Sequence, residues 1–210
     1  ADIVLDLHCD FEAAVHLYSI PQHWPAWQPL ARRIRAAAVL LAEDSGGGSF
    51  DEVCSAAWLN LARRYEQYPI PLGCMATALE LGGMADTESE RTEAQAEAIL
   101  GFLADQGLIA GDWPRLPADC CGATPFEGAQ YALAPHAGVV SFMRSAGDRV
   151  EPGDPLFEVH DPLDDRHSIV RAETAGVIYA CERLRFAQPG LWLAKVAGAV
   201  PIPQGRVLSD

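Results

Sequence analysis

An internal repeat in the carboxy-terminal half of the chain restricts what that half can fold into. Residues 134–140 (APHAGVV) match residues 172–178 (AETAGVI), and residues 152–159 (PGDPLFEV) match residues 189–196 (PGLWLAKV). The two matches are offset by 38 and 37 residues, so the halves are nearly collinear. Short apolar segments separated by glycine and proline are typical of β-strands joined by turns. We therefore predict one compact β unit, from residue 134 to about residue 200, whose halves are related by a two-fold rotation.

The segment between the repeats, residues 159–167 (VHDPLDDRH), has the composition of a hairpin tip. The duplicated unit resembles the barrel-sandwich hybrid of biotinyl and lipoyl carriers, which present a lysine on this hairpin. No lysine occurs there, and Lys195, the only lysine of the chain, falls within a predicted strand. We therefore expect no cofactor attached at this hairpin. His160 and His167, with the aspartates between them, form either a metal cluster or an ordinary solvated tip.

The amino-terminal segment contains the first candidate site residues. Residues 3–5 (IVL) form an apolar, partly β-branched run, which predicts a strand buried on both faces. Side chains alternate along a strand, so Asp6 and His8 point to the same side. At the carboxyl end of a strand this side opens onto the crevice where α/β sheets bind ligands. His8 is therefore a candidate metal ligand with Asp6 fixing its tautomer, and a structural histidine is the alternative.

The residues that follow predict loops and a helix. We predict a loop over residues 9–18, with His16 as a packed structural histidine, and an irregular loop over residues 19–27. Ser49-x-x-Glu52 is a capping-box pattern that predicts a helix to about residue 67. Apolar residues recur every fourth position in this helix and predict its buried stripe: Val53, Ala57, Leu61 and Tyr65.

Glu80 is the second candidate site residue. Residues 74–79 predict another buried strand, which ends at Glu80 and is followed by a double glycine and a helix from about residue 89 to 106. The double glycine after this carboxylate has no side chains, which leaves room for the close approach of a ligand. A salt bridge, or a cap on the next helix, is the structural alternative, and the spacing alone favours it.

The composition argues against several classes of function. The chain has 15 basic and 29 acidic residues and a formal net charge of -14, which argues against nucleic-acid binding and against anionic membranes. No apolar run approaches the ~18 residues that span a bilayer. The six cysteines form no C-x-x-C pair, which indicates reduced, mostly buried thiols of a cytoplasmic protein: Cys9, Cys54, Cys74, Cys120, Cys121 and Cys181.

Three segments together resemble one enzyme family. Residues 4–18 (VLDLHCDFEAAVHLY) resemble the D-L-H segment of the succinylglutamate desuccinylase/aspartoacylase family, zinc amidohydrolases related to the zinc carboxypeptidases. Residues 76–83 (ATALELGG) resemble its T-x-E-x-G segment, and the β region from about residue 134 to 197 follows in the family's order. One departure concerns the family's H-x-x-E motif, which lies on an earlier strand, because no H-x-x-E precedes His8. The chain is accordingly expected to be the carboxy-terminal part of a longer enzyme.

The resemblance implies an α/β fold with two domains. Residues 1–117 would form part of a zinc-carboxypeptidase-like α/β/α sheet, and residues 118–210 a linker and a small all-β, barrel-sandwich-hybrid-like domain. It also implies a Zn²⁺ cofactor with His8 as one ligand. In the family, the glutamate equivalent to Glu80 moves protons between water and the leaving amine. An arginine that binds the substrate carboxylate comes from about the region of Arg63 and Arg64.

The implied function is hydrolysis of the amide bond of a small N-acyl amino acid or a similar compound. Two other functions stay open. One histidine cannot hold a catalytic zinc, so the chain by itself is either completed by other ligands or catalytically incompetent. Alternatively, the β domain docks a partner protein and the α/β part is a scaffold. The sequence does not identify the acyl group or the amine of the substrate. It does not determine the oligomeric state either, and a homo-oligomer stays open.

Overall fold

A mixed five-stranded sheet and three helices occupy the amino-terminal part of the chain. The computed structural model describes residues 1–118 and 121–202. The elements of this part are β1 (Ile3–Asp10), β2 (Glu12–Ala13), β3 (His16–Ser19), α1 (Trp24–Arg33), β4 (Ala38–Leu41), α2 (Phe50–Arg64), β5 (Met75–Gly83), α3 (Ser89–Asp105) and β6 (Ala123–Pro125). The strand order is β1-β5-β3-β4-β6. β1 is parallel to β5, and β3, β4 and β6 are parallel to one another, whereas β3 and β5 are antiparallel.

One core of this part lies between the sheet and helices α1 and α3. Trp27 is fully buried against Phe102, with ring centroids 5.4 Å apart. The indole N–H of Trp27 donates to the carbonyl oxygen of Ala76 on β5 at 3.1 Å, so its polar atom is satisfied in the core. This bond connects α1 to β5, the strand that contains Glu80.

A β domain follows, with elements β7 (Ala129–Leu133), β8 (Gly138–Phe142), β9 (Arg149–Val150), β10 (Pro155–Asp161), β11 (Arg166–Arg171), β12 (Gly176–Cys181), β13 (Phe186–Ala187) and β14 (Trp192–Gly198). One sheet has the order β11-β10-β8-β13 and another the order β2-β12-β14-β7, with β9 also paired to β12. The aliphatic and aromatic side chains between these sheets form a separate core, with Phe157, Ile178 and Leu193 fully buried.

The strand pairings of the β domain follow the offsets of the sequence repeat. Val140 pairs with Val159 in the first half, and Ile178 pairs with Val196 in the second. The short strands exchange between halves, because β9 pairs with β12 and β13 pairs with β8. Each half therefore contributes a long strand, a short strand and a long strand, and lends its short strand to the other half.

The two parts of the chain interlock across the boundary expected near residue 117. β6, from the far side of that boundary, adds to the first sheet, and β2, from the near side, pairs with β12 of the β domain. A shared apolar cluster joins Leu40 of β4 to Phe126 and Tyr179. This packing fixes the β domain against the first sheet and brings β14 next to the candidate site.

Three local expectations for the amino-terminal segment are wrong. β1 is an edge strand of the described sheet and its residues 3–5 are only half-buried, because it pairs with one neighbour, β5. The loop predicted over residues 9–18 is mostly strand, since β1 continues to Asp10 and β2 and β3 follow. Helix α1 begins within the irregular loop predicted over residues 19–27, because a proline in the first turn of a helix gives up no intrahelical hydrogen bond.

The buried face of α2 is also different from the predicted one. Val53 and Leu61 are 60% and 43% exposed, and the buried residues are Asp51, Glu52, Ser55 and Leu59. The capping box does not form, because the carboxylate of Glu52 accepts a hydrogen bond from the Ser45 N–H at 2.9 Å instead. The surface that the helix faces determines which residues are buried, since its amino-terminal turn lies against a cavity lined by both charged and apolar side chains.

The cysteines are less buried than expected. Cys181 is buried, Cys54 and Cys74 are half-buried, and Cys9 is exposed, all as free thiols. Cys121 is half-buried, and Cys120 lies outside the described residues. Within the described part of the chain, no helix combines the length and the apolar character that crossing a bilayer requires.

Candidate active site

His8 and Glu80 lie side by side on two neighbouring strands. β1 and β5 are parallel, and His8 is directly paired with Glu80 in their register. Both side chains line one cavity of about 350 Å³ at the carboxyl ends of these strands. The two candidate site residues therefore face one crevice at the same edge of the sheet.

Asp6 contacts the imidazole ring of His8, with Oδ2 of Asp6 2.8 Å from Nε2 of His8. The hydrogen bond with Asp6 is the main cause that raises the pKa of His8 above its ordinary value. The charges of Glu80 and Asp51 act in the same direction. Nε2 therefore donates to Asp6, which leaves Nδ1 as the ring nitrogen able to bind a metal. Several carboxylates also surround His8, so a cation is favoured at this end of the cavity.

Glu80 is a half-buried carboxylate, and its Oε2 is buried without a hydrogen-bond partner among the described residues. Burial raises the pKa of Glu80, and nearby Asp10 raises it further, while His8 and Lys195 oppose this effect. A buried, unpaired carboxylate oxygen is costly in an ordinary structural role. Its position is the one expected of a group that exchanges protons with water or substrate in the cavity.

Helix α2 contributes two acidic residues that the sequence analysis missed. Asp51 and Glu52 line the same cavity and are 2% and 7% exposed. Oδ1 of Asp51 is buried without a partner among the described residues, and burial raises the pKa of this carboxyl. The sequence analysis missed them because it took the apolar stripe that begins at Val53 as the buried face of α2.

Lys195 reaches the cavity from the β domain. Its Nζ lies 2.8 Å from Oδ2 of Asp10 at the end of β1, and both side chains are 13% exposed. The ammonium also lies 4.2 Å from the ring centroid of Trp192, which places it over an aromatic face. Tyr131 lines the cavity beside it. The β domain therefore supplies a cationic and an aromatic wall to the site.

Arg63 and Arg64 do not line this cavity. Arg63 forms a surface ion pair with Glu43, with Nη2 and Oε2 2.6 Å apart, and the Arg64 guanidinium lies over the Tyr65 ring. Both residues are in the last turn of α2, whereas the first turn of this helix faces the cavity. In the described residues, the cavity lining includes Lys195 and no arginine.

A zinc ion fits this cavity in part. Nδ1 of His8 is available as a ligand, Asp6 orients the ring, and the surrounding carboxylates favour a cation. No three ligand atoms of histidine, cysteine, aspartate or glutamate converge here among residues 1–118 and 121–202. The chain thus offers one imidazole ligand and the groups that support it, and a catalytic zinc requires further ligands.

His16 is a packed structural histidine, although it lies in β3 rather than in a loop. Its Nδ1–H donates to the Ala14 carbonyl oxygen at 2.8 Å, and the Tyr18 hydroxyl donates to its Nε2 at 3.2 Å. The side chain is fully buried, and burial lowers the pKa of His16 to about 4. The imidazole is therefore neutral at pH 7, and both of its ring nitrogens are engaged in hydrogen bonds within the protein.

Because His16 is buried in its neutral form, we expect the folded protein to lose stability in acid. The unfolded chain binds a proton at His16 below about pH 6.5, whereas the folded protein resists it until about pH 4. The contribution of the neutral His16 imidazole to the free energy of unfolding is therefore fully present above pH 6.5. It falls by about 3 kcal/mol as the pH falls toward 4. We expect the free energy of unfolding of His16→Gln, measured with urea at each pH, to fall by that much less over this range. Equal losses in both proteins would contradict the prediction.

Solved structures with this arrangement of elements are known. A succinylglutamate desuccinylase/aspartoacylase family protein from Shewanella amazonensis matches at 25% identity with a TM-score of 0.80, covering 94% of this chain and 54% of that one. A second, from Shewanella frigidimarina, matches at 22% identity with a TM-score of 0.79 and the same coverages. The fold is that of the succinylglutamate desuccinylase/aspartoacylase family. The resemblance found in the sequence is thereby confirmed.

The same fold extends to a more distant structure. The ectoine utilization protein EutE (DoeB) from Ruegeria pomeroyi matches in its apo form at 16% identity with a TM-score of 0.69, covering 94% of this chain and 60% of that one. No protein-family model and no curated protein matches the sequence. The chain spans about half the length of the Shewanella structures. The similarity is therefore one of fold, over that part of their length.

Proposed function

We propose that this chain forms part of a zinc-dependent hydrolase that cleaves the amide bond of a small N-acyl amino acid or a similar compound. One observation carries the proposal. His8 and Glu80 are paired across parallel strands and face one cavity, where Oε2 of Glu80 is buried without a partner among the described residues. This is the relation that a metal ligand and a general base require, since both act on the same water molecule.

His8 would hold the zinc through Nδ1, together with ligands from an H-x-x-E segment of the kind that the family contains. When bound, zinc lowers the pKa of water toward ~7 and polarises the scissile carbonyl. Glu80 takes the proton of the attacking water on its carboxylate and then gives it to the nitrogen of the leaving amine. The raised pKa of Glu80 suits this exchange, because it brings the acid and base forms closer to balance near neutral pH.

Lys195 would bind the carboxylate of the substrate. It is the cationic group of the β-domain wall, and its ammonium is already held in place by Asp10 and Trp192. A substrate carboxylate entering the cavity can share the ammonium with Asp10, because an ammonium has three donors. The cavity volume of about 350 Å³ lies at the small end of ligand sites, which favours amino-acid derivatives over peptides.

A substrate panel tests this proposal. We expect protein that joins this chain to an H-x-x-E segment to hydrolyse N-acyl amino acids, and Lys195→Met to raise KM for them about 10- to 100-fold, the value of one charge-assisted hydrogen bond. The same variant should leave KM for the matching carboxamides unchanged. Arg63→Met is the matched control, since it removes a surface cation outside the cavity.

Two results would contradict the proposal in separable ways. Absence of hydrolysis across the panel by folded, zinc-loaded protein would refute the hydrolase. Equal KM changes for acids and carboxamides in Lys195→Met, or an effect of Arg63→Met as large, would refute the role of Lys195 alone.

A further inference from the structure

The hairpin between β10 and β11 contains a second group of metal-binding side chains. His160 and His167 are directly opposite each other in the β10–β11 register, and their rings stack with centroids 4.0 Å apart and planes inclined by 15°. Asp165 in the turn has a left-handed backbone, with φ of 50°. Its Oδ1 lies 3.5 Å from Nε2 of both histidines. Three potential ligand atoms thus converge at the tip, all within 4.8 Å of one another.

The distances between these atoms are those of ligands around an ion. Hydrogen bonds between nitrogen and oxygen are usually about 2.9 to 3.0 Å long, so 3.5 Å is long for such a bond. Around a tetrahedral zinc with bonds of about 2.0 to 2.2 Å, neighbouring ligand atoms lie roughly 3.3 to 3.6 Å apart. The separations at Asp165 match this edge length.

A carboxylate orients one of the two imidazoles. Oε1 of Glu158 accepts a hydrogen bond from Nδ1 of His167 at 2.5 Å. With its proton on Nδ1, the neutral ring of His167 presents a lone pair on Nε2, the atom that faces Asp165. Histidines that bind metals commonly donate their other N–H to a carboxylate in this way, which fixes the tautomer and the orientation of the ring.

The second imidazole has an unsatisfied nitrogen. Nε2 of His160 is buried without a hydrogen-bond partner among the described residues, although the side chain is 39% exposed. A buried nitrogen without a partner is costly, and a cation at the tip would satisfy it. None of Glu158, His160, Asp165 and His167 lines the active-site cavity. The hairpin group is therefore separate from the proposed catalytic site.

We propose that this hairpin binds one divalent transition-metal ion through Nε2 of His160, Nε2 of His167 and a carboxylate oxygen of Asp165. Two imidazoles and one carboxylate suit Zn²⁺, Cu²⁺ or Ni²⁺, whereas Mg²⁺ and Ca²⁺ prefer oxygen ligands throughout. Three protein ligands leave one position of a tetrahedral ion for solvent. The ion joins the two strands at their tip, so it stabilises the hairpin against fraying.

A calorimetric titration of the 210-residue chain with Zn²⁺ tests the site. We expect His160→Ala and His167→Ala each to weaken binding by more than 100-fold, because each removes a direct ligand. Glu158→Gln should weaken it about 10- to 100-fold, the usual cost of losing the carboxylate behind a metal-binding histidine. Glu43→Gln, which removes a surface carboxylate beside Arg63, is the matched control and should leave this binding unchanged. Circular dichroism establishes that each variant is folded.

The ligands can also be identified directly. With Cu²⁺ in place of Zn²⁺, the electron paramagnetic resonance spectrum should show hyperfine coupling to two imidazole nitrogens, and to one in either single variant. Unchanged Zn²⁺ affinity in the His160→Ala/His167→Ala double variant, or a Cu²⁺ spectrum without imidazole coupling, would overturn the proposal. Because none of the hairpin ligands lines the active-site cavity, this outcome is independent of the hydrolase proposal.

Discussion

Glu80→Gln is expected to lower kcat by on the order of 10² to 10⁴ in protein that joins this chain to an H-x-x-E segment, the usual scale for losing a general acid–base group. Glutamine keeps the shape of the side chain and removes its ability to accept a proton. Zinc content should stay normal, because Glu80 is not proposed as a ligand. The measurement is steady-state kinetics on an N-acyl amino acid, with the metal determined by mass spectrometry.

The thermal stability of the same variant separates a catalytic role from a structural one. Burial raises the folded pKa of Glu80 above its unfolded value, so the stability contributed by this carboxyl is present at low pH and is lost as the pH rises through the folded pKa. The ionised carboxylate is therefore the less favourable form in the folded protein, and we expect Glu80→Gln to melt no lower than the parent protein. Glu43→Gln, on the surface beside Arg63, is the matched control and should leave kcat unchanged. A structural Glu80 would give the opposite pattern, with reduced stability and nearly normal turnover.

The relation between His8 and Glu80 was predicted partly from local rules and partly from the family resemblance, because the spacing alone favoured a structural Glu80. Alternation along a strand places Asp6 and His8 on the same side of β1, and the carboxyl ends of neighbouring parallel strands lie at the same edge of a sheet. The repeat is similar, since equal offsets in sequence correspond to the equivalent strand pairs that the β domain contains. In each case a short stretch of sequence determines which side chains share a face.

The other walls of the cavity could not be predicted, because they depend on packing between distant segments. Lys195 meets Asp10 across 185 residues of chain, and nothing in the local pattern of β14 indicates which surface it will face. Asp51 was missed for a related reason. Hydrophobic periodicity assumes that the apolar stripe of a helix is its buried stripe, whereas α2 directs the two acidic residues of its first turn at the cavity.

The hairpin lies between these two cases. The sequence predicted a hairpin tip that contains both histidines. It left open whether they form a metal cluster or an ordinary solvated tip. That choice depends on the register, because a shift of one residue would put His160 and His167 on opposite faces of the hairpin. The observed register pairs them directly, and the left-handed turn at Asp165 adds the third oxygen.

His8→Ala is expected to reduce the zinc content of the active site from about one ion per chain to nearly none. It removes one of the three protein ligands that a catalytic zinc requires, while the fourth position belongs to water. The experiment uses protein with an H-x-x-E segment and the His160→Ala and His167→Ala substitutions, so that the hairpin contributes no metal. In this background, Asp6→Asn should weaken zinc binding only about 10- to 100-fold, because it disturbs the orientation of His8 and leaves its Nδ1 in place.

The order of these effects is the decisive result. Loss of zinc in His8→Ala, a smaller loss in Asp6→Asn and no change in the surface variant Glu43→Gln would support a metal held by His8 and oriented by Asp6. Unchanged zinc in folded His8→Ala would remove His8 from the site. The 210-residue chain with both hairpin substitutions should bind zinc weakly, since His8 is then its one imidazole ligand in the cavity. Tight, stoichiometric zinc there would mean that other cavity residues complete the site, and Asp51, with its unpaired and buried Oδ1, would be the first to replace by asparagine.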